Sequence, residues 1–522
     1  MRGIWTAIVV VTIAAAGCGG SDPSGKSVCD NQIPPPAACM TQCDPAPNAP
    51  TTCPGGYHCT EDGKCDAVCT QGGNECGDGY RCTPDGRCAG NDECIGLECK
   101  IVKCDKMGMP PTSISGTVFA PNGTLPLYGI NVYIPNTPVA NPPDGAICDR
   151  CGETLPGYPV AHVQTDETGK FTLTDVPAGA NIPLIISSGK WRKTLMIPNV
   201  PQCADTPLAA ADTSLPKNST LGNLPKIAIS TGGADALECL IRKLGIDEKE
   251  MGTDGGAQKI HLYTDAGAAG GQGASKFKNG FQGGTGNFAD SATLWSDVNK
   301  MKSYDIVILS CEGGQFPGTK PQPAMDAVKA YADLGGRIFA SHWHNIWIEG
   351  ATEGGGMNQK PAVWAGNGNT GIATWNNSGT TFSNPPDQID EVNNPKGSAF
   401  ATWMLNVMGS PAGMRDSIPI GNGTGKNTCT AVDNNKAERW VTWTQGGQTF
   451  PQMFQFTTPN ELPPGNRCGK VVFSDMHVSG DSSSSPGTAF PDSCAGSTLT
   501  PQEKALAFMF FDIASCVAGP IF

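Results

Sequence analysis

Cysteine placement constrains this chain more than any other feature. Twenty-three cysteines occur in 522 residues: Cys18 alone, thirteen from Cys29 to Cys104, three from Cys148 to Cys203 and six from Cys239 to Cys516. That number is out of place in a reducing cytosol and suits an oxidising compartment. In the first group Cys53-x5-Cys59-x5-Cys65 recurs 23 residues later as Cys76-x5-Cys82-x5-Cys88. The intervening residues repeat too, with Asp62-Gly63 and Asp85-Gly86 marking a tight hairpin turn in each copy. With Cys43 and Cys69 leading, each copy holds four cysteines, enough for two disulfides. So few apolar residues cannot make a core, and crosslinks must substitute for it. A zinc reading fits poorly, because the spacing is x5 rather than x2 and His58 is the only histidine there. The odd counts of the first two groups predict a disulfide joining them, or else a free thiol in each.

Met1-Arg2, the apolar run Ile4 to Ala16 and small residues before Cys18 have the form of a secretory leader. Ala15-Ala16-Gly17-Cys18 resembles a bacterial lipobox, which implies that residues 1–17 are removed and that the Cys18 thiol carries diacylglycerol. The alternative is an ordinary signal peptide with an incidental cysteine. The leader is too short to span a bilayer, so the lipid would be the anchor and the membrane the first partner. Gly19 rather than Asp after Cys18 resembles the pattern sent to the outer membrane, which makes that membrane or the cell surface the expected location. Setting Cys18 aside leaves an even 22 cysteines, as full pairing requires. A net charge of −13 and a pI near 4.9 exclude nucleic acid as a natural partner. Residues 18–38, rich in Gly, Ser, Asp and Pro, form a solvated tether. The repeats, taken as residues 39–110, resemble the small Gly-Tyr-x-Cys, Asp-Gly-x-Cys knots of extracellular proteins, which implies a stalk or contact module.

Residues 111–205 predict an all-β domain. Gly116-x-Val118, Gly129-x-x-Val132 and the run Thr165-Asp166-x-x-Gly169-x-Phe171-x-Leu173-x-x-Val176-Pro177-x-Gly179 resemble the carboxypeptidase regulatory-like domain. The resemblance implies a seven-stranded, prealbumin-like β-sandwich that serves as a spacer or binding module. Cys148-Asp149-Arg150-Cys151 admits half a zinc site or a redox dithiol. Nothing nearby completes either, so structural disulfides involving Cys203 are favoured.

From residue 225 to 522 strands and helices alternate, which predicts a doubly wound, flavodoxin-like α/β domain. Lys226–Ser230, Ile260–Tyr263, Ile306–Leu309, Arg337–Ala340 and Val471–Phe473 are the strands. Asp235 and Glu238 form a capping box for a helix ended by Gly245, and Met325–Leu334 is a second helix. Thr500-Pro501-Gln502-Glu503 opens a final helix running to Cys516. Residues 351–466, rich in Gly, Asn and Trp, have few periodic segments and are expected to form an insertion or lid. Tyr304-Asp305-x-Val307-Ile308-Leu309, the Gly335-Gly336 strand entry and Gly469-Lys470-Val471-Val472-Phe473-Ser474-Asp475-Met476-His477 resemble the class I glutamine amidotransferase-like superfold, within it the trehalose-utilisation-like group. Active amidotransferases carry a Gly-x-Cys-x-Gly elbow; the matching place here is Ala340-Ser341-His342-Trp343-His344, which implies no glutaminase activity. The whole arrangement, with Gly189-Lys190-Trp191-Arg192 and Asp235-x-x-Glu238-Cys239-Leu240, resembles large lipoproteins of predatory or social bacteria such as myxobacteria.

Ligands of open α/β sheets bind at the carboxyl ends of the strands. Three such ends carry Ser310-Cys311-Glu312, Ser341-His342-Trp343-His344 and Ser474-Asp475-Met476-His477. In a hydrolase reading Ser341 is the nucleophile, His477 the base and Asp475 or Glu312 the orienting carboxylate. In a metal reading His342, His344, His477 and Asp475 converge, since residues i and i+2 of an extended segment share a side; zinc is the one cofactor the sequence admits. In a binding reading Trp343 and Trp347 line a cleft for carbohydrate or a surface protein. The bland reading packs all of these into the sheet edge, with Cys311 a disulfide or buried thiol rather than a nucleophile. The expected function is a surface binding or structural role, with a hydrolase or metal-dependent enzyme as the alternative.

Overall fold

The computed structural model describes residues 27–31, 37–46, 53, 56–69, 76, 78–83, 86–91, 93–151, 155–264, 273–281, 286–351, 360–361, 364–366, 371–376, 386–421, 424–477, 489–494, 496 and 498–517. The leader and Cys18 lie outside them. Two compact units emerge: Met1–Cys94 with Thr137–Val139 and Thr154–Tyr158, and the remainder from Ile95 to Phe522. No described helix is long and apolar enough to cross a membrane.

In the first unit Asp62-Gly63 sits at the tip of one hairpin and Gly86 at that of a second. His58–Cys59 pairs with Cys65–Asp66, and Tyr80–Cys82 with Cys88–Gly90, both antiparallel. The disulfides stay within each copy: Cys43–Cys59 and Cys53–Cys65, then Cys69–Cys82 and Cys76–Cys88, with Cys29–Cys39 ahead of them. Gly86 joins the copies. Its carbonyl accepts from Val68 and Cys69 amides, and a Cβ there would meet the Gly56 carbonyl at 2.2 Å. Its φ of 71° suits glycine as well.

The second unit contains two smaller sheets and one large one. Trp191–Val200, Gly179–Ser188, Asn131–Pro135 and Pro159–Gln164 form a four-stranded antiparallel sheet; Asp205–Pro207, Ser113–Thr117 and Lys170–Thr174 form a three-stranded one. Lys170–Thr174 alternates strictly, so Phe171 and Leu173 enter the core while Lys170, Thr172 and Thr174 face water. That core is continuous with the core of the large sheet. Trp191 is fully buried against Phe510 and Phe511 of the last helix, and its Nε1 donates to the Pro216 carbonyl at 3.0 Å. The 111–205 region is therefore packed onto the large sheet instead of standing apart as a spacer.

The large sheet has eleven strands and is mixed; one of them, Ala289–Asp290, pairs in parallel with Ile260–Thr264 off the main path. Met251–Thr253, Ile260–Thr264, Ile227–Thr231, Ile306–Leu309, Arg337–Ser341 and Gly469–Ser474 lie side by side in parallel. Next to them Gln448–Thr458, Glu438–Gln445, Asp387–Ile389 and Ser417–Ile418 continue the sheet antiparallel. The parallel strands are buried on both faces and packed by the helices Gln322–Asp333 and Pro501–Ala514.

Several sequence expectations need correction. The 351–466 stretch is no separate lid: it supplies all four antiparallel strands of the large sheet and the buried helix Gly397–Asn406. Asp235 and Glu238 make no capping box. The helix Leu237–Lys243 starts after Ala236 without a side-chain cap, and Glu238 is buried with both carboxylate oxygens unpartnered. Cys148 and Cys151 form disulfides, yet with Cys468 and Cys516 rather than with Cys203. Cys203 pairs with Cys104, so the odd cysteine of the second group meets that of the first. The last helix opens where expected, and on a capping box the sequence reading did not name: Thr500 accepts from the Glu503 amide while the Glu503 carboxylate accepts from the Thr500 amide.

Candidate functional site

Parallel neighbours put their carboxyl ends at one edge. Leu309 stands opposite Ala340, and Ser341 opposite Ser474, so the three furnished ends are adjacent. The turns leaving these strands divide their side chains into three separate groups.

The first group is Cys311, His342 and His477. His342 Nδ1 lies 3.1 Å from His477 Nε2 and 3.5 Å from Cys311 Sγ. Cys311 is a free, fully buried thiol, His342 is buried and His477 half-buried. The far nitrogen of His342, Nε2, is 3.0 Å from Thr428 Oγ1 and 4.0 Å from Asp475 Oδ1. Asp475 Oδ2 accepts from the Cys429 amide at 2.9 Å, and its Oδ1 has no hydrogen-bond partner. Burial pushes the Cys311 thiol up to about 12, the Asp475 carboxyl up to about 7 and His477 down to about 4. Burial also holds His342 neutral, with His477 and Lys426 adding to the effect. His342 has a left-handed backbone, φ 41°, which is sparsely populated for a residue with a side chain.

The second group takes Ser341. Its hydroxyl donates to Asp235 Oδ2 at 2.8 Å, the carboxylate arriving from the Gly232-Gly233 turn after Ile227–Thr231. The expected Ser341–His477 nucleophile–base pair is therefore not assembled; the serine proton is committed to Asp235. Asp475 bonds the Cys429 amide, so it does not complete a triad either.

The third group surrounds His344. Trp347 Nε1 donates to His344 Nδ1 at 2.9 Å, which leaves the proton on Nε2 to be donated to the Ser310 carbonyl at 2.9 Å. Glu312 Oε1 lies 3.6 Å from that Nε2, while Oε2 pairs with Lys320 Nζ at 2.5 Å in full burial. Lys320 in turn sits over the Trp295 ring at 5.1 Å. Both ring nitrogens of His344 are thus engaged, and the residue does not join His342 and His477. The cause is local: residues 342–345 form a 3-10 turn, which rotates successive side chains by about 120°. The i, i+2 geometry of an extended segment does not apply. Glu312 orients neither serine nor metal. Trp347, 2 % exposed, is core and lines no cleft. Trp343 stays half-buried with its ring 4.8 Å from that of His342.

Sequence reasoning passed over Cys311 as a partner of the histidines, and missed Thr428 and the Asp235–Ser341 bond altogether. Cys311 had a visible signal, since it lies two residues past the end of the strand next to the one that delivers His342. Thr428 had none, because it arrives from the 351–466 stretch.

No protein-family model matches the chain, and no curated protein matches it. Among solved structures, two mutant type II cohesin–X-dockerin complexes from Acetivibrio cellulolyticus match over 28 % and 27 % of this chain and 78 % and 75 % of theirs. Their identities are 15 % and 19 %, with TM-scores of 0.14 and 0.13. A cytoplasmic protein from Salmonella typhimurium matches at 13 % identity over 56 % of this chain and 99 % of its own, with a TM-score of 0.29. Likeness at these TM-scores bears on neither the fold nor the activity of this chain.

Proposed function

We propose that the chain is an exported bacterial lipoprotein, anchored through Cys18 at the outer membrane or cell surface, with a non-catalytic binding role for its large unit. On this reading the repeats are the stalk, 111–205 is a prealbumin-like sandwich and 225–522 is a doubly wound, amidotransferase-like domain that has lost its elbow cysteine. The observation that carries the reading is the crosslinking. Disulfides such as Cys148–Cys468 and Cys151–Cys516 require an oxidising compartment and agree with the secretory form of the leader. Commitment of the Ser341 hydroxyl to Asp235 favours binding over hydrolysis. Trp343, half-buried beside His342, is the aromatic surface offered to carbohydrate or to a surface protein.

Metabolic labelling with a palmitate analogue in a bacterial host, followed by membrane fractionation, tests the anchor. The expected result is a labelled, membrane-associated protein, with both properties lost in Cys18→Ala. An unlabelled, soluble wild-type chain overturns the reading.

A further inference from the structure

Cys311, His342 and His477 have a geometry that core packing does not require. A tetrahedral zinc ion with Zn–N near 2.05 Å and Zn–S near 2.3 Å holds its ligand atoms about 3.4 Å apart for N···N and about 3.6 Å for N···S. Here His342 Nδ1 is 3.1 Å from His477 Nε2 and 3.5 Å from Cys311 Sγ, and the three donor atoms lie within 4.8 Å of one another. A single ion therefore reaches all three with small adjustments. We propose that Cys311, His342 and His477 form a zinc site with three protein ligands, whose fourth position is left to water or to a donor atom of a bound ligand.

Two further observations point the same way. A ligating histidine needs its other nitrogen held, and His342 Nε2 has Thr428 Oγ1 at 3.0 Å, with the Asp475 carboxylate just beyond. His342 also takes a left-handed backbone, φ 41°, that directs its Nδ1 edge at the other two donors. Binding releases the Cys311 proton to solvent, giving a thiolate–zinc bond, while both imidazoles bind neutral. The mixed sulfur and nitrogen set suits zinc and disfavours magnesium or calcium, which take oxygen ligands. The other disulfide-free buried cysteine among the described residues, Cys429, supplies an internal control, since its Sγ contacts the Ala431 carbonyl.

Metal-free protein, purified in the folded, disulfide-intact form, is titrated with cobalt(II) as the optical probe and then with zinc. The expected result is one equivalent bound, with a near-ultraviolet thiolate-to-cobalt band that zinc abolishes. Cys311→Ser should lose that band, His477→Ala should weaken binding at least about tenfold, and Cys429→Ser should keep full stoichiometry. Wild-type protein that binds no cobalt, or binds it without the thiolate band, overturns the site regardless of how the variants fold. Retention of the band in Cys311→Ser overturns it equally. The outcome is independent of the Cys18 anchor, which purified protein does not test.

Discussion

Cysteine is used in opposite ways in the two units. In the first, paired cysteines are 10 to 16 residues apart, and the strands they join are two or three residues long. In the second, Cys104–Cys203, Cys239–Cys494, Cys148–Cys468 and Cys151–Cys516 link residues 99 to 365 apart, in segments that already share a core of buried aromatic and aliphatic side chains. Short crosslinks take the place of a core; long ones fasten a core that exists. The lesson is that one residue type carries two energetic roles in one chain, set by what else each segment can bury.

The largest expected effect breaks the comparison at its weak side. Replacing Cys53 and Cys65 together by serine should unfold the first hairpin completely, because a loss of about 2–5 kcal/mol exceeds what so small a module holds. Limited proteolysis should then cleave within residues 53–65 while the second unit stays resistant. Loss of protection in both units would show that their stabilities are not independent.

Trp191→Ala strikes the other side. It removes a fully buried indole packed on Phe510 and Phe511, and should cost the second unit about 3–5 kcal/mol in unfolding free energy while leaving the hairpins intact. A change below about 1 kcal/mol in denaturant titration would mean that the disulfides, and not the core, carry this unit.

Glu238 sharpens the same contrast more finely, since it is a flaw that only a strong core tolerates. Burial raises its carboxyl to about 8, with neighbouring Asp235 adding to the rise. The folded chain therefore keeps a proton that the unfolded chain has lost, and stability falls as pH rises from the ordinary carboxyl value near 4.5 to about 8. Glu238→Gln should remove that slope. At pH 8.5 the variant should be more stable than wild type by a few kcal/mol, at about 1.4 kcal/mol per pKa unit, and the two should converge at pH 4. Parallel pH profiles would refute the unpaired-carboxylate assignment.

Much of this architecture is legible in residue patterns, because those patterns report burial. Ile306–Leu309 and Arg337–Ser341 are apolar on both faces, and their flanks mark them as parallel strands. The hairpins follow from Asp-Gly turns between cysteines. The antiparallel extension was harder to see: Glu438–Gln445 and Gln448–Thr458 carry continuous buried runs, so neither shows the alternation that identifies a strand. Their connection, Gly446-Gly447 with φ of 59° and 80°, is a two-residue hairpin signal that composition alone masked among other glycines. At the site, the sheet edge and its three furnished ends were legible. The partition of their side chains was not, because one 3-10 turn at residues 342–345 decides which histidine faces Cys311.

The bond between Cys151 and Cys516 closes a covalent ring between residues 365 apart in sequence, and Cys148–Cys468 adds a second tie across the same stretch. A peptide bond cut anywhere between Cys151 and Cys516 opens the ring without dividing the molecule. A nicked chain would migrate as one species on a non-reducing gel and separate into fragments only after reduction. An enzyme that attacks this unit from outside can therefore cut its backbone once while both pieces stay attached.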